Sequence, residues 1–385
     1  MTVRMGGSTR SSREPRAVSV PRDDNATPDP CASYAADGRD RMASPVEQAA
    51  MRRALELAAS VPGRVSPNPR VGCVLLDATG TGIAEGAHRG AGTVHAEVDA
   101  LGAAGAAARG ATAVVTLEPC SHTGRTGACT DALIAAGVAR VVFAMTDPDP
   151  VAAGGADVLR NSGIGVEGGV LAADAAALNC RWAFSIERAR PFVTWKVAAT
   201  LDGRSAAVDG TSTWITGPDA RHDVHRLRAQ ADAIVVGTGT VLADDPRLNV
   251  RDRMDAPLPF RHQPLRVVVG TRDLPDTARV WDDAADTVQI RTHDVRAVLQ
   301  ALSDLGVRHA WLEGGPRLAG AFVAAGLVDE VVAYLAPALL GDGRAALAAA
   351  GVETLAGRHR LAFTDVTRLG ADVRLTARPL TAEVG

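Results

Sequence analysis

"ATAVVTLEPCSHTGRTGACTDALIAAGVARVVFAM", residues 111–145, holds two short apolar runs with a polar loop and a helix-like stretch between them. "ATAVVTL" (111–117) and "RVVFAM" (140–145) have the length and valine content of buried strands, and the stretch opening at Cys129 reads as a helix. Strands alternating with helices of this length imply layered α/β architecture. The same order extends in both directions. Upstream, "SPVE" places Ser44 at an N-cap, Pro45 at the first helical position and Glu47 three residues beyond the cap, opening an amphipathic helix to about residue 60. The loop "VSPNPRVG" then leads into the strand "VGCVLLD", a second strand follows near "GIAEGAH", and a helix begins at about His95. Downstream, a helix, a strand and another helix carry the chain to about Arg190.

Pro191 opens a second series. "FVTWKVAATLDGRSA" reads as strand, turn, strand; "GPDARHDVHRLRAQ" as a helix; "DAIVVGTGTVL" as a strand entering a glycine-rich turn. Further strands fit "PLRVVVG", "TVQIRT", "HAWLEG", 329–336, 360–366 and 370–378, with helices at 295–305 and 316–326. The expected organisation is therefore an extension at 1–43, one α/β domain at 44–190 and another at 191–385. The extension is rich in Ser, Arg, Pro, Asp and Gly and lacks apolar periodicity, so it is expected to be disordered, with Met42 a possible true start.

At 385 residues, two domains are the natural expectation. A net charge of −3 is a poor footprint for nucleic acid, which is bound through clustered Lys and Arg. No apolar run approaches the roughly 18 residues of a membrane span. Five thinly spread cysteines without a secretory signal suit a reduced, cytoplasmic protein.

Chemistry concentrates first in "TVHAEVDAL", which supplies His95 and Glu97, and in "EPCSHTGRTGAC", which supplies Cys120 and Cys129. One imidazole and two thiolates suit zinc and leave a fourth tetrahedral position open, the arrangement of a catalytic site. Each cysteine is expected at a helix N-terminus, where the dipole favours thiolate. Glu97 is too near His95 to need to be a ligand and is placed to shuttle protons between the metal's water and a departing amine. H-x-E followed by P-C and a second cysteine is the pattern of zinc deaminases, although the cysteines here are C-x₈-C rather than C-x-x-C. Cys73 and Cys180 read as core residues, and His222 and His225 as ordinary helix residues.

"HAE", "TLEPCSHTGRT", "DALIAAGVARVV", "SPNPRVGCV" and "GAHRGAG" resemble the bifunctional deaminase/reductase family of riboflavin biosynthesis. The resemblance implies a cytidine-deaminase-like α/β/α sandwich, one Zn²⁺ per deaminase domain, substrate contacts from Asn68 and His88, and a ribose-phosphate seat formed by His122 and Arg125. The last two are chemically apt, since a guanidinium fork and an imidazole bind phosphate well. Two departures stand out: Gly127–Ala128 where the family commonly has two prolines, and Arg70 where it often has Asn. Both are expected to affect substrate affinity.

In the second half, "KVAATLDGRSA", "GTSTWITG", "VVGTGTVLADDPRLNVR" and "WLEGGPRLAGAFVAAGLVDE" resemble the reductase half of that family, with a dihydrofolate-reductase-like fold. That resemblance assigns NADPH to Ala198, Trp214, Thr240, Asp244 and the turn Gly315, Pro316, Arg317, Leu318, Ala319, Gly320, Ala321. It assigns substrate to Ser212, Arg228, Leu248, Arg251 and Glu313, with Arg228 and Arg251 as phosphate forks. Lys196 is the sole lysine among the 41 basic residues, and a compact ammonium beside the nicotinamide segment is expected to position a substrate hydroxyl.

Together the two resemblances imply two steps on one small phosphorylated pyrimidine. The first is deamination of 2,5-diamino-6-ribosylamino-4(3H)-pyrimidinone 5′-phosphate; the second is NADPH reduction of its ribosyl chain to ribityl. A homo-oligomer formed through the reductase domain is expected. Two other readings are a nucleic-acid or free-base deaminase, disfavoured by the acidic charge and the second domain, and a binding protein with structural zinc, disfavoured by Glu97 and the three-ligand site.

Overall fold

The computed structural model of the chain describes residues 43–122 and 127–380. The 1–43 extension therefore lies outside the described residues, apart from Ala43, as does Arg125. The first half runs α1 (Pro45–Ser60), β1 (Gly72–Leu76), β2 (Gly82–Ala87), α2 (Ala96–Ala104), β3 (Thr112–Leu117), α3 (Cys129–Ala136), β4 (Arg140–Met145), α4 (Gly155–Asn161), β5 (Gly165–Gly168) and α5 (Ala172–Glu187). The capping box forms as expected: the Glu47 amide donates to Ser44 Oγ and the Ser44 amide to the Glu47 carboxylate.

The five strands form one sheet in the order β2-β1-β3-β4-β5, with β3, β4 and β5 parallel and β1 antiparallel to both neighbours. All of β1 is buried, as are the last five residues of both β3 and β4, so these strands read as continuous apolar runs. Met51 of α1 and Leu133 of α3 are fully buried with Leu75 and Met145 of the sheet.

The second half runs β6 (Phe192–Thr200), β7 (Arg204–Ala206), α6 (Pro218–Arg228), β8 (Ala233–Gly237), α7 (Thr238–Asp244), β9 (Leu265–Val269), β10 (Thr287–Ile290), α8 (Val295–Asp304), β11 (His309–Leu312), α9 (Pro316–Ala324), β12 (Glu330–Ala336), β13 (Arg344–Ala345), β14 (Leu361–Leu369) and β15 (Asp372–Pro379). Eight strands make one sheet, β10-β9-β8-β11-β6-β12-β15-β14, parallel from β10 to β12 and antiparallel beyond. Val235, Val267 and Leu312 pack with Leu299, Leu302 and Phe322 of α8 and α9 on one face. Ile234, Val236 and Val268 pack with Val224 of α6 on the other. A parallel sheet covered on both faces gathers its functional loops at the strands' C-terminal ends.

One expectation fails here. "VVGTGTVLADDP" is not a strand entering a turn: Gly237 is an N-cap, and α7 starts at once. The extended Gly237 backbone makes the transition without a loop, so Thr240 and Asp244 lie on a helix.

The two halves meet along α5. Arg181 Nη2 lies 3.1 Å from Glu330 Oε1, the Phe184 and Phe192 rings meet edge to face at 5.2 Å, and Arg190 donates twice to Asp329, at 2.8 and 2.7 Å. Among the described residues, no helix is long and apolar enough to cross a membrane.

Candidate active sites

The first site lies where the N-termini of α2 and α3 converge on the end of β3. His95 is the N-cap of α2 and Cys129 the first residue of α3, while Cys120 lies in the loop just beyond β3. Cys120 is therefore not at a helix start, contrary to expectation. The amide of Cys129 instead reaches it directly, donating to its sulfur at 3.4 Å. His95 Nδ1 lies 3.1 Å from Cys129 Sγ and 3.7 Å from Cys120 Sγ, and the three donor atoms all lie within 4.8 Å of one another. One imidazole and two sulfurs at that separation fit a zinc ion, and both cysteines are buried. Hydrogen bonding from the Cys129 thiol, then from His95, holds the Cys120 thiol well below its ordinary value. Neither His222 nor His225 joins a metal-binding group: His225 Nδ1 accepts from the Arg251 amide, and His222 Nε2 accepts from Arg253.

Glu97, in the first turn of α2, is buried against Cys129, and that burial raises its carboxyl above the usual carboxylate range. His88 meets His95 edge to face, ring centroids 5.2 Å apart. The Val94 carbonyl lies 3.0 Å from His88 Nδ1, and Asn68 Nδ2 lies 2.9 Å from Nε2. A carbonyl only accepts, so this pairing puts the proton on Nδ1 and makes Nε2 the acceptor. Burial lowers the His88 pKa and favours this neutral form. His122 Nδ1 is buried and has no hydrogen-bond partner among the described residues, as suits a group that awaits a ligand. An open cleft of ≈ 390 Å³ flanks the cluster between α2 and α3.

Arg70, expected to act on substrate affinity, faces away from that task. Its two terminal nitrogens donate to the carbonyls of Val61 and Gly63, each at 2.7 Å, and prop the loop from within.

Three residues that support this site were missed. Glu118 is buried and accepts from the amides of Asp147 and Ala156, tying the loop after β3 to α4. Burial pushes the Asp147 carboxyl up to about 7. Gly155 lets α4 approach: a Cβ there would lie 1.7 Å from the Pro119 carbonyl oxygen. Gly155→Ala is therefore expected to displace Pro119 and Cys120, lowering stability by about 2 kcal/mol and zinc content with it. Thermal melting and metal analysis check this; an unchanged melting temperature with full zinc would refute it.

The second site centres on Glu313, just beyond β11. Its carboxylate accepts from Arg228 Nε at 2.5 Å, Arg228 Nη2 at 2.6 Å and Trp311 Nε1 at 2.6 Å, and Lys196 Nζ stands 4.0 Å away. Burial alone would raise this carboxyl, but the charges of Arg228 and Lys196 prevail and hold it at about 2. Burial pulls the Lys196 pKa below its usual value, against the opposing pull of Glu313.

Arg228 is thus not a free phosphate fork. Two of its nitrogens hold Glu313 and the third donates to the Asn249 carbonyl. Arg251 is half-buried, bonded to Asp255 and Asn249. The Leu248 side chain is buried in the apolar layer beside α6, so it can offer a ligand only its backbone, which has φ of 49°. Ser212 is half-buried in the loop before α6, where Trp214 is largely exposed beneath the Arg221 guanidinium, 4.7 Å from its ring centroid.

Of the assigned cofactor residues, Thr240 and the turn that opens at Gly315 come together. Gly315 caps α9 and Pro316 opens it; a Cβ on Gly315 would lie 3.6 Å from Thr240 Oγ1 of α7, and one on Gly237 would lie 3.8 Å from Leu318. Ala198 lies on β6, two residues beyond Lys196. A helix N-terminus such as that of α9 is a usual seat for a dinucleotide's phosphates.

Comparisons with known proteins match both halves. The profile of the "cytidine and deoxycytidylate deaminase zinc-binding region" matches residues 44–145, and that of the "RibD C-terminal domain" matches 191–375. The riboflavin biosynthesis protein RibD of Mycobacterium tuberculosis (strain H37Rv) is 49% identical over 330 residues, covering 85% of this chain and 96% of the relative. RibD of Escherichia coli (strain K12) is 42% identical over 357 residues, covering 84% and 97%. Among solved structures, Acinetobacter baumannii RibD superposes with a TM-score of 0.79 at 40% identity, covering 87% of this chain and 99% of that one. A diaminohydroxyphosphoribosylaminopyrimidine deaminase/5-amino-6-(5-phosphoribosylamino)uracil reductase from Thermotoga maritima gives 0.77 at 32% identity, with the same coverage.

Proposed function

Because the chain belongs to the RibD family of riboflavin biosynthesis proteins, bifunctional enzymes with a deaminase half and a reductase half, we propose that it carries out two successive steps on one phosphorylated pyrimidine. The first removes an amino group from a diaminopyrimidine bearing ribose 5-phosphate; the second reduces the opened ribosyl chain to ribityl. The observation that carries this reading is the buried Glu97 carboxyl beside the His95–Cys120–Cys129 donor set, on the same chain as the Lys196–Glu313–Arg228 cluster. We place the division between the two domains in the short segment between α5 and β6.

His95, Cys120 and Cys129 would hold the zinc, which when bound lowers the pKa of a water enough to make it a nucleophile near neutral pH. Glu97 takes the proton of the attacking water and passes it to the departing amino nitrogen. A raised pKa suits a group that must both accept and return a proton. Asn68 and His88 orient the pyrimidine, and His122 takes the phosphate, with Arg125 its partner outside the described residues.

In the second half, Ala198, Trp214, Thr240, Asp244 and the turn at 315–321 would hold NADPH, which supplies the hydride. Lys196 polarises the substrate oxygen at the carbon being reduced, and Glu313 keeps that ammonium in place. Ser212, Leu248 through its backbone, and Arg251 bind the rest of the substrate; Arg228 acts through Glu313. Reduced thiols at the metal site suit work in the cytoplasm. The edge strand β14, with Leu361 and Phe363 exposed, suits a homo-oligomer formed through the reductase domain.

The test is a coupled assay with purified, zinc-analysed protein given the diaminopyrimidine phosphate. Ammonia release should precede NADPH oxidation and be lost on chelation, while reduction of pre-deaminated substrate survives. Equal oxidation of NADH, or reduction that does not depend on deamination, would overturn the corresponding half of the proposal.

A further inference from the structure

We infer that Asp232, in the reductase half, is a positioning residue for the deaminase site: its carboxylate clasps the loop that carries Asn68. Asp232 lies just before β8 and is buried. Its Oδ2 accepts from the amides of Arg308 and His309, each at 2.9 Å, and from Ser66 Oγ at 2.8 Å. Its carbonyl oxygen accepts from Arg64 Nη1 at 3.1 Å. Ser66 and Arg64 belong to the loop between α1 and β1, on the other half of the molecule.

That loop is held from both sides. From within, Arg70 holds its first residues, and the Asn179 side chain exchanges two hydrogen bonds of 2.9 Å with the Arg70 backbone. On its outer side it packs on the reductase half: a Cβ on Gly306 would meet Pro67 at 3.7 Å, and one on Gly63 would meet His262 Nδ1 at 2.5 Å. Between these anchors lies Asn68, whose amide nitrogen donates to Val65 O at 3.3 Å and whose side chain sets the His88 ring. Ser66 and Asn68 are two residues apart, so releasing Ser66 frees Asn68 from the carboxylate that anchors its neighbour. A buried carboxylate accepting three hydrogen bonds is a stiff fixed point, because each bond to a charged group is stronger than a neutral one. The same atom joins the starts of β8 and β11, whose far ends carry α7 and Glu313. The reductase sheet thereby serves as the template on which a deaminase loop is shaped. The inference rests on the reading of Asn68 as a substrate contact.

The test uses the full-length, zinc-loaded protein. Ser66→Ala is expected to raise KM for ammonia release about fivefold with kcat little changed, part of the worth of one charge-assisted hydrogen bond. Hydrogen exchange at the amides of Val65 and Asn68 should quicken about tenfold, while those of Arg308 and His309 stay protected. Asp232→Asn, which keeps an acceptor oxygen and loses the charge, should raise KM less than Asp232→Ala does. Asp232→Ala should reproduce the KM rise, and adding Ser66→Ala to it should raise KM no further. Unchanged exchange at Val65 and Asn68 in Ser66→Ala overturns the clasp. In an active protein, faster exchange with unchanged KM overturns the positioning role as well. Should the wild type release no ammonia, the deaminase reading fails by that result, and the exchange measurement alone decides the clasp.

Discussion

Glu97→Gln lowers ammonia release by about 10²- to 10⁴-fold, the range contributed by a positioned general acid–base. The substitution keeps the size and the burial of the side chain and removes only its capacity to take and return a proton. His95, Cys120 and Cys129 are untouched, so zinc content stays at the wild-type level. Reduction of pre-deaminated substrate also stays unchanged, because Glu97 has no part in the second site. Ammonia release by the variant within tenfold of wild type, with zinc retained, would remove Glu97 from the mechanism.

Lys196→Met lowers reductase turnover about 10²-fold, the scale of losing one preorganised donor to developing charge, and leaves deamination intact. Methionine fills much of the lysine's volume, and Glu313 retains both Arg228 bonds and the Trp311 indole, so the fold survives the change. Equal loss or equal retention of the two activities would sink the assignment. The pH profile gives an independent reading. Burial lowers the Lys196 pKa, so the ammonium is lost as pH rises through a value below the 10.5 of an ordinary lysine. Reductase kcat/KM should therefore fall on its alkaline side earlier than an exposed lysine would allow. Glu313, held at about 2, stays charged throughout and contributes no acidic limb near neutrality.

Much of the first site was legible because its chemistry is local in sequence. His95 and Glu97 are two residues apart, and the two cysteines bracket a single loop, so residue type and order along the chain point to the donor set. The supporting contacts are not local. Gly155 matters because α4 packs on the Pro119 carbonyl, and no pattern near residue 155 announces that neighbour. Asp232 meets Ser66 across 166 residues. Arg228 illustrates the same limit: an arginine on a helix gives no sign that a carboxylate 85 residues later will occupy its fork. At Gly237, the glycines of "VGTGT" suggested a turn, yet an extended glycine is also a good N-cap, and tertiary packing chose the helix. Leu248 was named by the family resemblance, and only packing shows that its side chain points into the core.

The α5 helix has a consequence for anyone dividing this protein into parts. Its Trp182 and Ala183 belong to the core of the first sheet, while Arg181 and Phe184 engage Glu330 and Phe192 of the second. A gene cut at residue 190 would expose Phe184 on one fragment and Phe192 on the other, and would separate Arg190 from Asp329. Chimeras assembled from two relatives should exchange α5 together with the loop before β12, treating them as one inherited unit rather than as a linker and its neighbour.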